Sequence, residues 1–413
     1  MMEPKLIVII VLTFLLLYAI VQTVWGCVSD SLQNRFTNKQ RLANEYSGNY
    51  QLASTLKQTY TVLSLNKRQA NWHNVMVFKV VQESADVRSF YLTDQEHEPL
   101  PAFLPGQHIL VKSEGVDNSN GTSRCYSLSG DCSAGYWRIS VKKNSDHPQS
   151  VSRWLHEEVA VGEVLQVRGP SGAFFLNSAP DRNVILVSAG IGITPLLPML
   201  LESRRRSCRS IVCFSQFRDI GHMPFADSLL HLAQKHPEVA MNIWISRFPK
   251  GTTHSSWGLF HEGKFQARDL IQHPGAVAFS DYYICGPKAW QDRIRGDLLS
   301  IGVQPESIRY ELFQQSDLPS IANSSDKLVQ HSIHFKQSRA NAKFQASHPS
   351  LLACARQHNV LLESGCRTGA CGSCAIRMMS GKVRYTREPQ FQTQANEILP
   401  CVCVPESDLE LDV

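Results

Sequence analysis

The sequence predicts a multidomain chain: an N-terminal transmembrane helix, an antiparallel β-barrel, a doubly wound α/β domain and a terminal α+β domain. Three observations carry this. Leu6 to Trp25 is an uncharged apolar run. From Val75, short segments alternate apolar and polar residues between turns. From Asn183 the pattern changes to continuous apolar runs separated by amphipathic segments. At 413 residues, two or three domains are expected. The composition shifts divide the chain into an anchor (1–26), a polar tether (27–71), the barrel (72–179), the α/β domain (180–315), a linker (316–330) and the last domain (331–413).

The net charge of +5 is mild and scattered, which argues against a nucleic-acid partner. The twelve cysteines have no disulfide-framework spacing, and so many unpaired thiols favour a reducing compartment. The histidines form no H-x3-H or HExxH pattern, so no histidine metal site is expected.

Twenty apolar residues rising about 1.5 Å each match a hydrocarbon core of about 30 Å. Tyr18 and Trp25 suit the interface. A cleaved signal peptide is the competing reading, but no A-x-A site follows the run. Lys5 precedes the span, while Arg35, Lys39 and Arg41 follow it. This charge bias predicts a single-pass inner-membrane protein, held through lipid contact with the helix, with its catalytic domains in the cytoplasm.

The barrel strands read VMVFKVV, VRSFYL, HILVK and WRISVKK, and Val167 to Phe174 is expected to close the barrel. Arg124, Cys125, Tyr126 and Ser127 form one strand after Pro105-Gly106-Gln107. An arginine can neutralise a phosphate with a forked donor, and Tyr126 on the same face can stack on a planar ring. That combination suits a flavin. Ser127 points to the other face of an ideal strand. Ser150 and Ser152 open a short helix, either as ordinary caps or as part of a pyrophosphate site.

Asn183 to Ser188 reads as a buried parallel strand. Gly190-Ile191-Gly192-Ile193-Thr194-Pro195 follows, then an apolar helix. Strand, glycine loop and helix N-terminus make a phosphate-binding arrangement, with Pro195 in place of a third glycine. Further strands are expected at Ser210–Phe214, Ala240–Ile245 and Ala278–Ile284. The last ends in Cys285-Gly286-Pro287, where Cys285 is either a small core residue or a group beside a reacting nicotinamide. Arg218 either reads a 2′-phosphate or is a surface residue, so NADH and NADPH both stay open.

In the last domain Cys366, Cys371 and Cys374 follow C-x4-C-x2-C, with Cys401 and Cys403 downstream. This is the plant-type [2Fe–2S] spacing. A zinc site is disfavoured because only one C-x2-C pair is present. Ser332–Phe335 and Asp408–Val413 read as strands, and Leu351–Arg356 as a helix. Residues 331–413 carry nine Lys/Arg against seven Asp/Glu. Arg367, Arg377, Lys382, Arg384 and Arg387 either meet an acidic partner or form a solvated face.

Taken in order, Arg124-Cys125-Tyr126-Ser127, Gly190 to Pro195, Cys285-Gly286-Pro287 and the cysteine loop resemble the ferredoxin–NADP reductase superfamily. The likeness is to NADH reductases of hybrid-cluster protein and to reductase components of oxygenases and desaturases. The resemblance implies a flavin barrel, a nicotinamide domain and a β-grasp ferredoxin domain. It implies FAD held by Arg124, Tyr126, Ser127, backbone near Val141 and Lys142, and Ser152. NADH or NADPH would be held by Gly190, Gly192, Thr194, Pro195, Gly286 and Pro287. Ser127, Cys285 and Glu311 would sit at the reacting atoms, and Cys366, Cys371, Cys374 and Cys401 would ligate the cluster. The implied activity is NAD(P)H-dependent electron transfer to a desaturase, an oxygenase or hybrid-cluster protein. The alternative is a non-catalytic electron-relay subunit of a membrane complex.

Overall fold

The computed structural model describes residues 71–113, 122–144, 150–179, 181–205, 210–248, 259–271, 280–313 and 330–413. The expected membrane span, the tether up to residue 70 and nearly all of the linker lie outside these residues. Among the described residues no helix is long and apolar enough to cross a membrane.

Six antiparallel strands build the barrel: β1 (His73–Ser84), β2 (Val87–Thr93), β3 (His108–Ser113), β4 (Thr122–Ser127), β5 (Trp137–Lys142) and β6 (Val164–Ser171). Their order is β4-β3-β6-β1-β2-β5, and a bridge between Leu128 and Ile139 joins the two ends. The expectation that Val167 to Phe174 closes the barrel is therefore corrected. β6 lies between β3 and β1, and closure falls to β4 and β5, because the last strand returns to pair with the first. Ile109 and Val111 of β3 enter the barrel core, whereas Leu110 points outward. Leu110 is nevertheless only 2% exposed, because the last domain covers it. Helix α1 (Val151–Glu157) is capped by Ser150 Oγ, which accepts from the Arg153 N–H at 3.3 Å.

The α/β domain is a six-stranded parallel sheet in the order β10-β9-β8-β7-β11-β12. The strands are β7 (Asn183–Ala189), β8 (Ser210–Phe217), β9 (Val239–Ile245), β10 (Phe260–Glu262), β11 (Ser280–Cys285) and β12 (Ile308–Glu311). The helices are α2 (Ile193–Arg205), α3 (Ala226–Lys235), α4 (Ala267–Ile271) and α5 (Lys288–Ser300). Every residue of β7 is buried because both faces are covered. Val184 and Leu186 pack with Leu196 and Leu200 of α2, while Ile185 and Val187 pack with Ile294 and Leu298 of α5. The strand order reverses at β7, between β8 and β11, which is where open parallel sheets place their ligand crevice.

The last domain has a five-stranded mixed sheet in the order β14-β13-β19-β15-β17, with a separate β16–β18 pair. These are β13 (His331–Phe335), β14 (Ala340–Phe344), β15 (Ile376–Ser380), β16 (Val383–Tyr385), β17 (Glu397–Ile398), β18 (Cys403–Pro405) and β19 (Leu409–Leu411). Helix α6 (Leu351–Gln357) buries Leu351 and Ala355 against Ile333, Phe335 and Leu411. The parallel β13–β19 pair flanked by antiparallel neighbours is the β-grasp arrangement.

Close backbone approaches fix the domains to each other. Ala85 of the barrel donates its N–H to the Gly221 carbonyl of the α/β domain at 2.8 Å. Asp131 of the barrel pairs with Arg205 of α2, which holds its carboxyl down at about 2. Gly106 has φ +103°, and a Cβ there would lie 2.4 Å from both the Phe174 carbonyl oxygen and Met199 Cε. Gly106→Ala is expected to destabilise this junction by about 1–3 kcal/mol. Thermal release of bound flavin, followed by fluorescence, checks this. A variant that releases flavin at the wild-type temperature would show that the junction does not depend on this approach.

Candidate functional site

β4 alternates two sets of side chains. Arg124 and Tyr126 face one way, opposite Val111 and Ile109 across the ladder with β3. Arg124 Nη1 donates to the Ser123 carbonyl at 2.9 Å, and burial pushes the Tyr126 hydroxyl pKa up. Ser123, Cys125 and Ser127 face the other way. Ser127 Oγ donates to Glu311 Oε2 at 3.3 Å, and His108 Nδ1 lies 3.6 Å from Glu311 Oε1. Glu311 ends β12 directly opposite Cys285, the end of β11. Cys285 is fully buried, and burial followed by the Glu311 charge pushes its thiol well above the ordinary range. Ser127, Glu311 and Cys285 thus meet at one point, although they come from two domains.

Two residues at this point were not singled out from the sequence. His108 is packed beneath Gly172, where a Cβ would lie 2.8 Å from His108 Nδ1. Gln291 is fully buried and donates through Nε2 to the Gly286 carbonyl at 2.9 Å and the Glu311 carbonyl at 2.5 Å. It ties together the ends of β11 and β12. The available signals were weak: a histidine opening the strand after Pro105-Gly106-Gln107, and a glutamine one turn into the helix after Pro287.

The glycine loop lies against the same strand end. Gly190 has φ +57° and begins a 3₁₀ turn between β7 and α2. Gly192 is required by space: a Cβ would sit 2.1 Å from the Cys285 carbonyl oxygen. Thr194 is buried and donates to the Ile191 carbonyl at 2.9 Å, so its hydroxyl braces the loop. Pro195 occupies the first turn of α2, where its missing N–H is tolerated. A Cβ on Gly286 would lie 3.0 Å from Ala189 Cβ and 2.9 Å from the Trp290 ring, and Pro287 precedes α5 as its N-cap.

Val141 and Lys142 sit at the end of β5. The Val141 side chain is in the barrel core and its carbonyl accepts from His156 Nε2 at 2.8 Å. Lys142 reaches Asp86 at 3.4 Å. Ser152 Oγ accepts from the Asn144 N–H at 3.2 Å, so the end of β5 and the start of α1 are linked. Arg218 follows β8 and pairs with Asp219 at 3.3 Å and with His222.

The cysteine loop joins α6 to β15. Cys371 N–H and Thr368 N–H point at Cys366 Sγ, at 3.3 and 3.4 Å, and Cys366 N–H points at Cys371 Sγ at 3.4 Å. Cys374 and Cys401 have their sulfurs 3.2 Å apart. Cys403 lies in β18, fully buried, opposite Tyr385. Side-chain hydrogen bonds from Cys125 and then Cys371 hold the Cys366 thiol well below its ordinary range. Gly369 and Gly372 both have positive φ. Amide donors aimed at thiol sulfurs on a glycine-rich turn fit a thiolate-held iron–sulfur group.

The loop is pressed onto the barrel. A Cβ on Gly365 would lie 2.6 Å from Leu110 Cδ2 and 3.0 Å from Cys125 Sγ. Ser123 Oγ donates to the Ser364 carbonyl at 2.7 Å. Arg168 and Glu363 pair at 2.6 Å, with the Arg168 guanidinium 5.2 Å from the Trp72 ring centroid.

Residues 74–176 match the oxidoreductase FAD-binding domain, and residues 333–406 match the 2Fe-2S iron-sulfur cluster binding domain. The chain is 32% identical over 249 residues to a flavohemoprotein of Chromobacterium violaceum, a stretch covering 59% of this chain and 61% of that protein. It spans about 60% of the length of the curated relatives it matches. Phthalate dioxygenase reductase shares the fold, with TM-score 0.56 and 24% identity over 83% of this chain and 98% of that one. An intact type IV self-sufficient cytochrome P450 monooxygenase gives TM-score 0.60 at 23% identity, over 83% of this chain and 41% of that one. The chain thus carries an oxidoreductase FAD-binding domain and a 2Fe-2S iron-sulfur cluster binding domain, one before and one after a six-stranded parallel α/β sheet.

Proposed function

We propose that this protein is a membrane-anchored reductase that draws electrons from NADH or NADPH and delivers them singly to a redox protein, such as an oxygenase, a desaturase or hybrid-cluster protein. The observation that carries it is the position of β4, with the flavin motif on one face and the cysteine loop on the other. When bound, FAD takes two electrons from the nicotinamide and the [2Fe–2S] cluster takes them one at a time.

The residues divide the work. Arg124 neutralises phosphate charge and Tyr126 stacks on the flavin ring. Ser152 and the backbone at Val141 and Lys142 line the rest of the FAD site. Gly190 and Gly192 let the nicotinamide dinucleotide approach the backbone at the β7 switch point, on a loop braced by Thr194 and Pro195. Glu311 fixes the direction of the Ser127 hydroxyl, and Cys285 with Gly286 and Pro287 forms the wall against which the nicotinamide is oriented. Cys366, Cys371, Cys374 and Cys401 hold the cluster. Resemblance to oxygenase reductases supports the class of acceptor, and the apolar run Leu6–Trp25 supports the anchor.

Three outcomes are expected. Gly192→Ala should lower kcat/KM for NAD(P)H by roughly a hundredfold, because it displaces the loop from the Cys285 carbonyl. Stopped-flow reduction of the bound flavin measures this, and wild-type kinetics would refute the role. Cys401→Ser should abolish the [2Fe–2S] absorbance and EPR signal while flavin reduction by NAD(P)H persists, and Cys403→Ser should retain the cluster. The reverse pattern would reassign the fourth ligand. The full chain should sediment with membranes and resist alkaline extraction, and deletion of residues 1–26 should release it. Release of the full chain by salt alone would remove the anchor from the proposal.

A further inference from the structure

Glu363, Ser364 and Gly365 lead directly into Cys366, and each rests on a different part of the barrel's outer face. Register sets that face. Leu110 of β3 lies opposite Arg168 of β6 on one side and Cys125 of β4 on the other, while their neighbours Ile109, Val111 and Val167 fill the core. Glu363 Oε2 accepts from Arg168 Nη1 on β6 at 2.6 Å. The Ser364 carbonyl accepts from Ser123 Oγ on β4 at 2.7 Å. Gly365 lies against β3, where a Cβ would come 2.6 Å from Leu110 Cδ2. Within its own domain the segment is held by Arg356 of α6, which donates to Ser364 Oγ at 2.9 Å. Glu363 has a second partner: its Oε1 accepts from Trp72 Nε1 at 3.4 Å. The Trp72 ring centroid is 5.2 Å from the Arg168 guanidinium and 5.9 Å from Lys112 Nζ. The Arg168 side chain is only 14% exposed.

We propose that Glu363 is the positioning residue for electron transfer from the flavin to the [2Fe–2S] cluster: clamped by Arg168 and Trp72, it fixes the segment leading into Cys366 on the barrel face behind Arg124 and Tyr126. This rests on the reading that β4 lines the flavin site and that Cys366 ligates the cluster. The step moves one electron from reduced flavin to oxidised cluster, and no bond forms or breaks at Glu363. The hydroxyl–carbonyl bond at Ser364 can be exchanged for bonds to water at little cost, so it orients the segment without holding it. The charge pair is different. A largely covered guanidinium that loses its carboxylate is left as an uncompensated charge, so the pair resists opening. The Trp72 ring adds to this by facing the same cation and by donating to the same carboxylate. Trp72 is also where the polar stretch 27–71 enters the barrel, just before β1. The clamp therefore ties the proposed membrane tether to the seat of the cluster.

The test mixes the full-length holoprotein with NADH or NADPH and follows two events separately: flavin bleaching by stopped flow and cluster reduction by freeze-quench EPR. Arg168→Glu and Glu363→Arg are each expected to slow cluster reduction about tenfold, while flavin reduction stays within about twofold of wild type. The double variant, with the two charges exchanged, is expected to recover to within about threefold of wild type, a rescue that a merely structural role would not produce. Glu363→Gln keeps the shape without the charge and is expected to slow cluster reduction about threefold. Trp72→Phe keeps a ring beside Arg168 and is expected to lie nearer wild type than Trp72→Ala. The proposal is overturned if both charge reversals leave cluster reduction within about twofold of wild type, or if the exchanged pair is as slow as the slower single variant. Should the reversals fail to fold, Glu363→Gln decides, and a wild-type rate of cluster reduction in that variant overturns the proposal. A wild-type protein whose bound flavin is reduced but whose cluster never is would refute the function on which this rests, whatever Glu363 does.

Discussion

The period of two in β4 places Arg124 and Tyr126 on one face of a single strand and the side chains that meet the cysteine loop on the other. Six residues of strand carry Arg124 and Tyr126 on one face and Ser123, Cys125 and Ser127 on the other. A side chain of the proposed flavin site and one reaching the cysteine loop are therefore neighbours in sequence. No insertion in a distant loop can separate them. For this to work the loop has to touch the strand directly, and Gly365 permits that, since a Cβ there would run into Leu110 and Cys125. The outward-facing Leu110 is the corresponding concession by the barrel. An apolar residue on an external face is stable only if another domain covers it.

The proposed nicotinamide side uses the same device with backbone in place of side chains. Gly192 approaches the Cys285 carbonyl so closely that no other residue fits, and Gln291 fastens the ends of β11 and β12 through two carbonyls. β12 then delivers Glu311 to Ser127 of the barrel. The α/β domain is thus registered on the barrel through hydrogen-bonded strand ends, whose positions are fixed by the parallel ladder. A site assembled from strand termini is stiffer than one assembled from loop tips, and orienting two planar rings depends on that stiffness.

Features encoded in local spacing were legible in the sequence. The C-x4-C-x2-C loop, the alternation of β4, the run of β7 followed by two glycines and the helix α6 all depend on residues within a few positions of each other. Features requiring closure of long loops were not. Ser127 and Glu311 are 184 residues apart, and Ser123 and Ser364 are 241 apart. Nothing in either local pattern announces the partner. The same applies to barrel closure. β6 has the period and the glycine-rich turn of a terminal strand, but pairing between β3 and β1 is decided by chain return and not by its own residues. His108 and Gln291 were missed for a related reason. Each looks like an ordinary strand or helix residue until a carboxylate or a carbonyl from elsewhere reaches it.

The charge balance of the last domain is consistent with its covalent attachment. A free electron carrier must find its reductase by diffusion, and complementary charge raises that encounter rate. Here the 2Fe-2S domain shares one chain with the FAD-binding domain, so an encounter between them is intramolecular and its effective concentration is set by geometry. Nine basic and seven acidic residues in 331–413 give almost no net field. The seating depends instead on close contacts: the Arg168–Glu363 pair with Trp72 over it, the Ser123–Ser364 hydrogen bond and Gln390 Nε2 on the Tyr310 carbonyl at 3.4 Å. Arg168 is largely covered while Glu363 stays exposed, so salt screens this pair less than it would a fully solvated one. Electron transfer between the flavin and the cluster is therefore expected to be far less sensitive to ionic strength than delivery from the cluster to a separate acceptor.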